Sequence, residues 1–285
     1  MKRILITGEN SYIGTSFEKW LAKYPDKYMV DLISLRDESW KVKDFSKYDV
    51  VYHVAGIAHR KETDENRELY FEVNRDLAYE IAKKSKQDGV KQFIFLSTMS
   101  VYGLESGVID EHTPLKPKSN YGKSKLQAEE LIKPLEDDNF KVAITRPPMV
   151  YGKGCKGNYP RLAKLAKITP IFPDIGNKRS MIYIDNLSEL VRLLIDDNAN
   201  GLFCPQNEEY VNTSEMVRLI AELHSKKVKL TKLFNPLLRS FDISTMNKVF
   251  GDLVYEKTMS EYESNYRVCG FKESIDQTEM EIQQQ

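Results

Sequence analysis

Several residue types that mark specialised protein classes are scarce in this chain. Its three cysteines, Cys155, Cys204 and Cys269, are far apart and odd in number, so neither a disulfide framework nor a CxxC metal site is indicated, and reduced thiols are expected. The four histidines, His53, His59, His112 and His224, form no HExxH and no pair with cysteine at metal-ligand spacing, so no metal site is expected. Neither sign of charge is in excess. Lys plus Arg and Asp plus Glu each number 42, which supplies no global field for nucleic acid or an anionic membrane and leaves only a local basic site open. No apolar run approaches the ~18 residues that a membrane-crossing helix needs. The segment MKRILITG enters a strand-like run at once instead of a signal-peptide core, so a cytoplasmic protein with no nucleic-acid or membrane partner is expected.

What is present suits a folded core. With 285 residues, 41% of them hydrophobic and 29% charged, wholesale disorder is excluded and one large domain or two unequal lobes are allowed. Residues 1–150 alternate short β-branched or aromatic runs with segments of helical period, which predicts a parallel sheet covered on both faces. Strands are expected at 4–7, 29–35, 50–55, 93–97 and 142–146. Ile13, Phe17, Trp20 and Leu21 share one helical stripe that Pro25 ends, and further helices are signalled by Val73, Leu77, Ala78 and Ile81 and by Leu126, Leu131 and Ile132. From Pro147 onward prolines and glycines break up the pattern, as in a binding lobe over residues 151–285, with one later helix opening near Thr213. The fold class expected is α/β: a Rossmann-type doubly wound parallel sheet with a smaller C-terminal mixed α/β substrate lobe, from which a strand or helix could cross back.

The first strand runs straight into Gly8-Glu9-Asn10-Ser11-Tyr12-Ile13-Gly14 and then into the amphipathic helix, the strand, turn and helix order of a dinucleotide site. Gly8 permits the tight turn, Gly14 lets helix and strand approach, and the helix N-terminus around Tyr12 and Ile13 offers unpaired N–H groups to a pyrophosphate. Ser11 keeps a small residue beside the phosphates and can add a hydroxyl donor. The second strand should end at the adenosine ribose, in Ile33-Ser34-Leu35-Arg36-Asp37. Arg36 in the terminal position favours NADP(H), and a register one residue later would present Asp37 and favour NAD.

Tyr121-Gly122-Lys123-Ser124-Lys125 places a phenol and an ammonium four residues apart, on one helical face. An ammonium beside a phenol lowers its pKa, so that the phenol can exchange a proton with a substrate hydroxyl or carbonyl near neutral pH. Four other segments accompany this one in order: the Gly8/Ser11/Gly14 turn, His53-Val54-Ala55-Gly56, Ser97-Thr98-Met99-Ser100-Val101-Tyr102-Gly103, and Arg146-Pro147-Pro148-Met149-Val150-Tyr151-Gly152. Together they resemble the extended short-chain dehydrogenase/reductase family over roughly residues 1–190. The resemblance implies that Thr98 hydrogen-bonds the reacting oxygen, that Tyr121 is the acid/base and that Lys125 lowers its pKa and holds the nicotinamide ribose. Asn74 matches the asparagine that supports these hydrogen bonds, and Ala55, Gly56 and Pro148 fall at cofactor-side positions. Thr98 read locally is a strand-end hydroxyl serving its own backbone, and Asn74 a helix cap.

The same resemblance narrows the chemistry. Family dehydratases carry Asp and Glu after the catalytic threonine, and here Met99 and Ser100 stand there, so hydride exchange at one carbon remains. Asn158 and Arg179 match nucleotide-sugar positions, Arg179 as the clamp of a pyrophosphate. The implied function is an NAD(P)-dependent nucleotide-sugar oxidoreductase that reduces the C4 keto group of a UDP-4-keto-6-deoxy-N-acetylhexosamine for surface polysaccharide. A UDP-hexose or UDP-HexNAc 4-epimerase is the second reading, and a catalytically silent NADP-binding sensor or scaffold a third, of another class. A homodimer, formed through the Tyr121 helix and the helix after the third strand, is implied by analogy with relatives. His53 is read as a packing residue, His59 as a loop residue that could reach substrate, and Cys155 as having no nucleophilic role. Residues 235–238 and 249–253 carry no motif, and the tail from Glu281 is read as polar and frayed.

Overall fold

The computed structural model describes residues 1–58, 60–233 and 251–280. His59, residues 235–238, Val249, Phe250 and the tail from Glu281 lie outside the described residues. In chain order, β1 (Lys2–Thr7) is followed by α1 (Tyr12–Leu21), β2 (Tyr28–Ile33), the one-turn α2 (Ser39–Val42) and β3 (Val50–His53). Next come a 3-10 turn at Asp64–Asn66, α3 (Arg67–Phe71), a π-helical turn at Glu72–Asp76, α4 (Leu77–Gln87) and β4 (Gln92–Leu96). Past a second 3-10 turn (Met99–Tyr102) stand β5 (Gly107–Ile109), α5 (Asn120–Ile132), β6 (Lys141–Thr145) and β7 (Met149–Tyr151). The rest comprises α6 (Asn158–Ile168), β8 (Ile171–Pro173), β9 (Met181–Tyr183), α7 (Ile184–Asp196), β10 (Gly201–Phe203), α8 (Thr213–Leu223), β11 (Lys229–Thr231), β12 (Leu253–Tyr255) and α9 (Phe271–Met280).

Six strands form one parallel sheet in the order β10-β6-β4-β3-β1-β2. Its strands are apolar on both faces because side chains alternate with a period of two and each face meets helices. Ile4 and Ile6 of β1 enter a core with Phe17 and Leu21 of α1 and Leu187, Leu190 and Leu194 of α7. Leu5, between them, enters the opposite core with Ala78 and Ile81 of α4 and Ala128 and Ile132 of α5. The alternation repeats in β4, where Ile94 and Leu96 face the first core and Phe93 and Phe95 the second. This is the doubly wound α/β architecture expected. Burial of each such side chain is worth about 1.5–3 kcal/mol, so the two layers clamp the sheet from both sides.

The structure corrects several local expectations. β2 ends at Ile33 instead of Leu35 and β3 at His53 instead of Ala55, because the chain turns off the sheet as soon as it reaches the cleft. Leu131 is exposed on α5, where Ala128 and Ile132 carry the inward stripe. Helix α7 is not among the expected elements, yet Ile184, Leu187, Leu190, Val191, Leu194 and Ile195 recur at helical spacing and are buried. With β10 it returns from beyond residue 150 to the first sheet, and β12 pairs with β5. His53 is fully buried, bonded through Nδ1 to the Thr7 hydroxyl at 2.9 Å and stacked on Phe93 and Phe95. Burial, with a smaller push from Lys125, lowers its pKa to about 3. Among the described residues no helix is long and apolar enough to cross a membrane.

A charged pair lies inside this apolar frame. Glu129 of α5 meets Arg146 at the end of β6, with Arg146 Nε 3.1 and 3.2 Å from its two carboxylate oxygens. Ser97, just past β4, also donates to Glu129, and Arg146 donates to the Tyr102 hydroxyl at 2.9 Å. Removing one partner of such a pair strands the other charge, so Glu129→Ala should cost about 3–5 kcal/mol in urea unfolding. The double variant Glu129→Leu/Arg146→Met should regain most of that loss.

Candidate active site

The site assembles where β1 lies between β2 and β3, the point at which an open α/β sheet leaves a crevice beyond its strand ends. Gly8 turns the chain off β1 at φ +100°, and a Cβ there would stand 3.1 Å from the Ala55 nitrogen. The turns after β1 and β3 therefore touch through backbone. The N–H groups of Gly8 and Glu9 donate to the Ile33 carbonyl at 2.8 and 3.1 Å, tying in the end of β2. Ser11 caps α1 by accepting from the Gly14 N–H at 2.9 Å, which leaves its own hydrogen to donate. The first i→i−4 bond of α1 runs from Thr15 to Ser11, so the N–H groups of Tyr12 and Ile13 lie ahead of it. A Cβ on Gly14 would come within 2.9 Å of Ser11 Oγ and 3.1 Å of Ile6 and Val54, so any side chain would lift the helix off the strands. Such a cradle fits the pyrophosphate of a dinucleotide. The Tyr12 ring turns away from it: its buried hydroxyl lies against Gly152, just past β7, and burial pushes its pKa well up.

Beyond β2, Arg36 is exposed and Asp37 is engaged, its carboxylate accepting from the Ser39 N–H at 3.0 Å and from the Ser39 hydroxyl. These bonds hold the Asp37 carboxyl below its usual range.

Three elements bring the catalytic candidates together. Thr98 follows β4 and accepts from the Ser100 N–H at 3.1 Å, the local role foreseen for it, and its hydroxyl is near enough to the Tyr121 phenol to lower the phenol's pKa. Lys125, one turn along α5, donates to the Leu96 carbonyl at 2.7 Å and lies over the Phe95 ring at 4.6 Å. Asn74 is fully buried in the π-helical turn. Its Oδ1 accepts from the Ile57 N–H at 2.7 Å, and its Nδ2 donates to the Ile57 carbonyl and to Ser124 Oγ, each at 3.1 Å. Gly56 lies against this group, since a Cβ on it would meet Asn74 Oδ1 at 2.9 Å and Lys125 Nζ at 3.4 Å.

The electrostatics differ from the sequence expectation. Burial raises the Tyr121 pKa, the Thr98 hydroxyl opposes that rise, and the Lys125 ammonium is not among the groups that act on it. The ammonium is turned to the end of β4, where burial lowers its own pKa to about 7 against the support of Glu129.

The remaining candidates occupy other elements. Asn158 opens α6 and is half-buried. Arg179 is half-buried between Val211 and Leu253, and its Nη1 donates to the Gly251 carbonyl at 2.8 Å. Burial lowers its pKa, with Asp252 supporting the charge. Pro148 is buried between β6 and β7.

Two contributors escaped sequence reasoning. Glu62 accepts from the N–H groups of Asn120 and Tyr121 at 2.9 and 3.1 Å, capping α5 from a loop 58 residues earlier, and no local pattern signals it. Ser124 of α5 bonds Asn74 of the π-helical turn packed against it, and its place between Tyr121 and Lys125 was the available clue.

Comparison with known proteins agrees with this geometry. Residues 4–203 match the NAD dependent epimerase/dehydratase family, and the chain belongs to that family. It is an NAD(P)-dependent enzyme. A UDP-glucose 4-epimerase of Vibrio cholerae is 34% identical over 254 residues, covering 77% of this chain and 75% of the relative. An N-acetyl-alpha-D-glucosaminyl-diphospho-ditrans,octacis-undecaprenol 4-epimerase of Escherichia coli O157:H7 is 26% identical over 269 residues, 87% of this chain and 81% of the relative. Among solved structures, a UDP-glucuronic acid 4-epimerase from Bacillus cereus in complex with NAD superposes with TM-score 0.76 at 19% identity, covering 99% of both chains. A dTDP-4-dehydrorhamnose reductase from Bacillus anthracis in complex with NADP gives 0.71 at 19% identity, over 99% of this chain and 100% of that one. At such identities the structures share the fold.

The Lys125 environment has a pH signature. Unfolded, the lysine keeps its proton to its ordinary 10.5; folded, it releases it near 7. Between those values the unfolded chain binds more protons, so stability should rise with pH by up to about 5 kcal/mol from this group. Urea unfolding of wild type and Lys125→Met across pH 7–10.5 should show that slope only in the wild type.

Proposed function

We propose that this enzyme exchanges hydride at C4 of a UDP-linked sugar, and that it works as an NADPH-consuming reductase of a UDP-4-keto-6-deoxy-N-acetylhexosamine. The carrying observation is the convergence of the Thr98 hydroxyl, which acts on the Tyr121 phenol, with Lys125 one helical turn away and the buried Gly56 and Asn74 group beside it. The bound nicotinamide supplies the hydride chemistry. Gly8, Ser11, Tyr12, Ile13 and Gly14 hold its pyrophosphate through backbone and hydroxyl, and Ala55, Gly56, Pro148 and Lys125 line the way to the ring. The Thr98 hydroxyl orients the C4 oxygen, and Tyr121 gives it the proton as negative charge develops there. Burial supports this direction, because a phenol with a raised pKa stays protonated at neutral pH, the state a proton donor needs. Asn158 and Arg179 bind the nucleotide diphosphate from the second lobe. Met99 and Ser100, next to Thr98, carry no proton relay for elimination of water.

NADP(H) is favoured by the state of the β2 end. Asp37 is occupied with Ser39, and among the described residues no carboxylate pairs with Arg36, which suits a 2′-phosphate. The second reading, a UDP-sugar 4-epimerase, is favoured by the named activities of the Vibrio cholerae and Bacillus cereus proteins. A homodimer through α4 and α5 belongs to the same proposal, and the exposed Leu131 on α5 supports it.

Incubation of purified protein with UDP-4-keto-6-deoxy-N-acetylhexosamine and NADPH should consume reductant stoichiometrically. C4 inversion of a UDP-hexose without net consumption would establish the epimerase, and inertness in both assays a dinucleotide-binding sensor. Tyr121→Phe should lower kcat by about 10²–10⁴-fold while the dinucleotide Kd changes less than about twofold. Near-normal turnover in that variant would rule out its role.

A further inference from the structure

The chain's balanced charge hides a local imbalance in the second lobe. Residues 158–173 and 224–233 contain no aspartate or glutamate. They build α6 with β8, and the strand β11 that pairs with β8 in parallel register, Ile171 opposite Lys229. On α6 the residues Tyr159, Leu162, Ala163 and Ala166 are buried. The opposite stripe, Arg161, Lys164, Leu165 and Ile168, falls at i, i+3, i+4 and i+7 and is exposed. Ile168 is 66% exposed, Leu165 44% and Ile171 46%. Lys226, Lys227, Lys229 and Lys232 of the second segment are exposed as well. Among the described residues, Glu279 is buried against Lys167 and His224 beneath the exposed stripe, and Glu222 pairs with Arg218.

We propose that α6, β8 and β11 form a peripheral docking face for an anionic lipid bilayer. Aliphatic side chains held in water between cations are costly to expose and have no use in a solvated charge face. At a bilayer surface they enter the acyl boundary while lysine and arginine stems carry their charges up to the phosphates. A nucleic acid fits the same residues poorly. The aromatic rings of these elements, Tyr159 and Phe172, are buried, so the face lacks stacking platforms for bases, and Leu165, Ile168 and Ile171 have nothing to contact on a phosphodiester chain. Docking by this face needs no spanning helix. It also leaves the crevice beyond β1 and β3 untouched, so it holds whichever C4 chemistry the enzyme performs.

The test is co-sedimentation of the full chain with vesicles of equimolar phosphatidylglycerol and phosphatidylcholine, against vesicles of phosphatidylcholine alone. Binding should occur on the anionic vesicles and fall steeply with added salt. Lys164→Glu/Lys229→Glu should weaken it roughly tenfold or more, and Ile168→Ser severalfold, with thermal stability and dinucleotide binding unchanged. No binding to the anionic vesicles at low salt overturns the proposal, and binding that neither variant alters overturns the assignment to this face.

Discussion

The buried Glu129–Arg146 pair is the contact on which the site's geometry turns. It locks α5 against the ends of β4 and β6, with Ser97 and Tyr102 satisfying what remains of both groups. Ala128 and Ile132 bury α5 against the sheet but are tolerant of small rotations, as aliphatic contacts are. Hydrogen bonds to a carboxylate are directional, so the pair sets the rotation of the helix and with it the headings of Tyr121 and Lys125. Glu129 also provides the negative charge that partly offsets the cost of burying the Lys125 ammonium.

Around that anchor the crevice divides its work between backbone and side chains. The phosphate cradle is made by close backbone approach, with Gly8 against Ala55 and Gly14 against Ser11, Ile6 and Val54. The sugar-facing side relies on buried polar ties: Asn74 binds the Ile57 backbone to Ser124, and Glu62 caps the first turn of α5 beside Tyr121. The loop after β3 is thereby tied to α5 at both ends. A helix held at its N-terminus by Glu62 and in its body by Glu129 presents Tyr121 with little freedom, which is what positioning a proton donor requires.

Charge is distributed unevenly although its total vanishes. The Glu129–Arg146 and Glu189–Arg192 pairs are buried against the sheet, and α6, β8 and β11 collect exposed cations and aliphatics. A composition of 42 charges of each sign conceals this, since net charge is blind to where the signs lie.

The strand alternation of β1 and β4, the turn from Gly8 to Gly14 and the Tyr121-Lys125 spacing were legible in the chain itself, because periodicity and turn chemistry are properties of neighbours. The same kind of periodicity is present in α7, where Ile184, Leu187, Val191, Leu194 and Ile195 lie on the buried side. Other features were beyond local inspection. Glu62 reaches α5 across 58 residues, and the choice between Arg36 and Asp37 depends on where β2 leaves the sheet and on a serine two residues further on. The protonation of Lys125 and Tyr121 is of this second kind. Spacing put the two side chains on one helix, but burial is created by the whole fold, and it turned the ammonium towards the Leu96 carbonyl and raised the pKa of the phenol. Desolvation is a sum over everything that surrounds a group, and only the tertiary structure decides what that is.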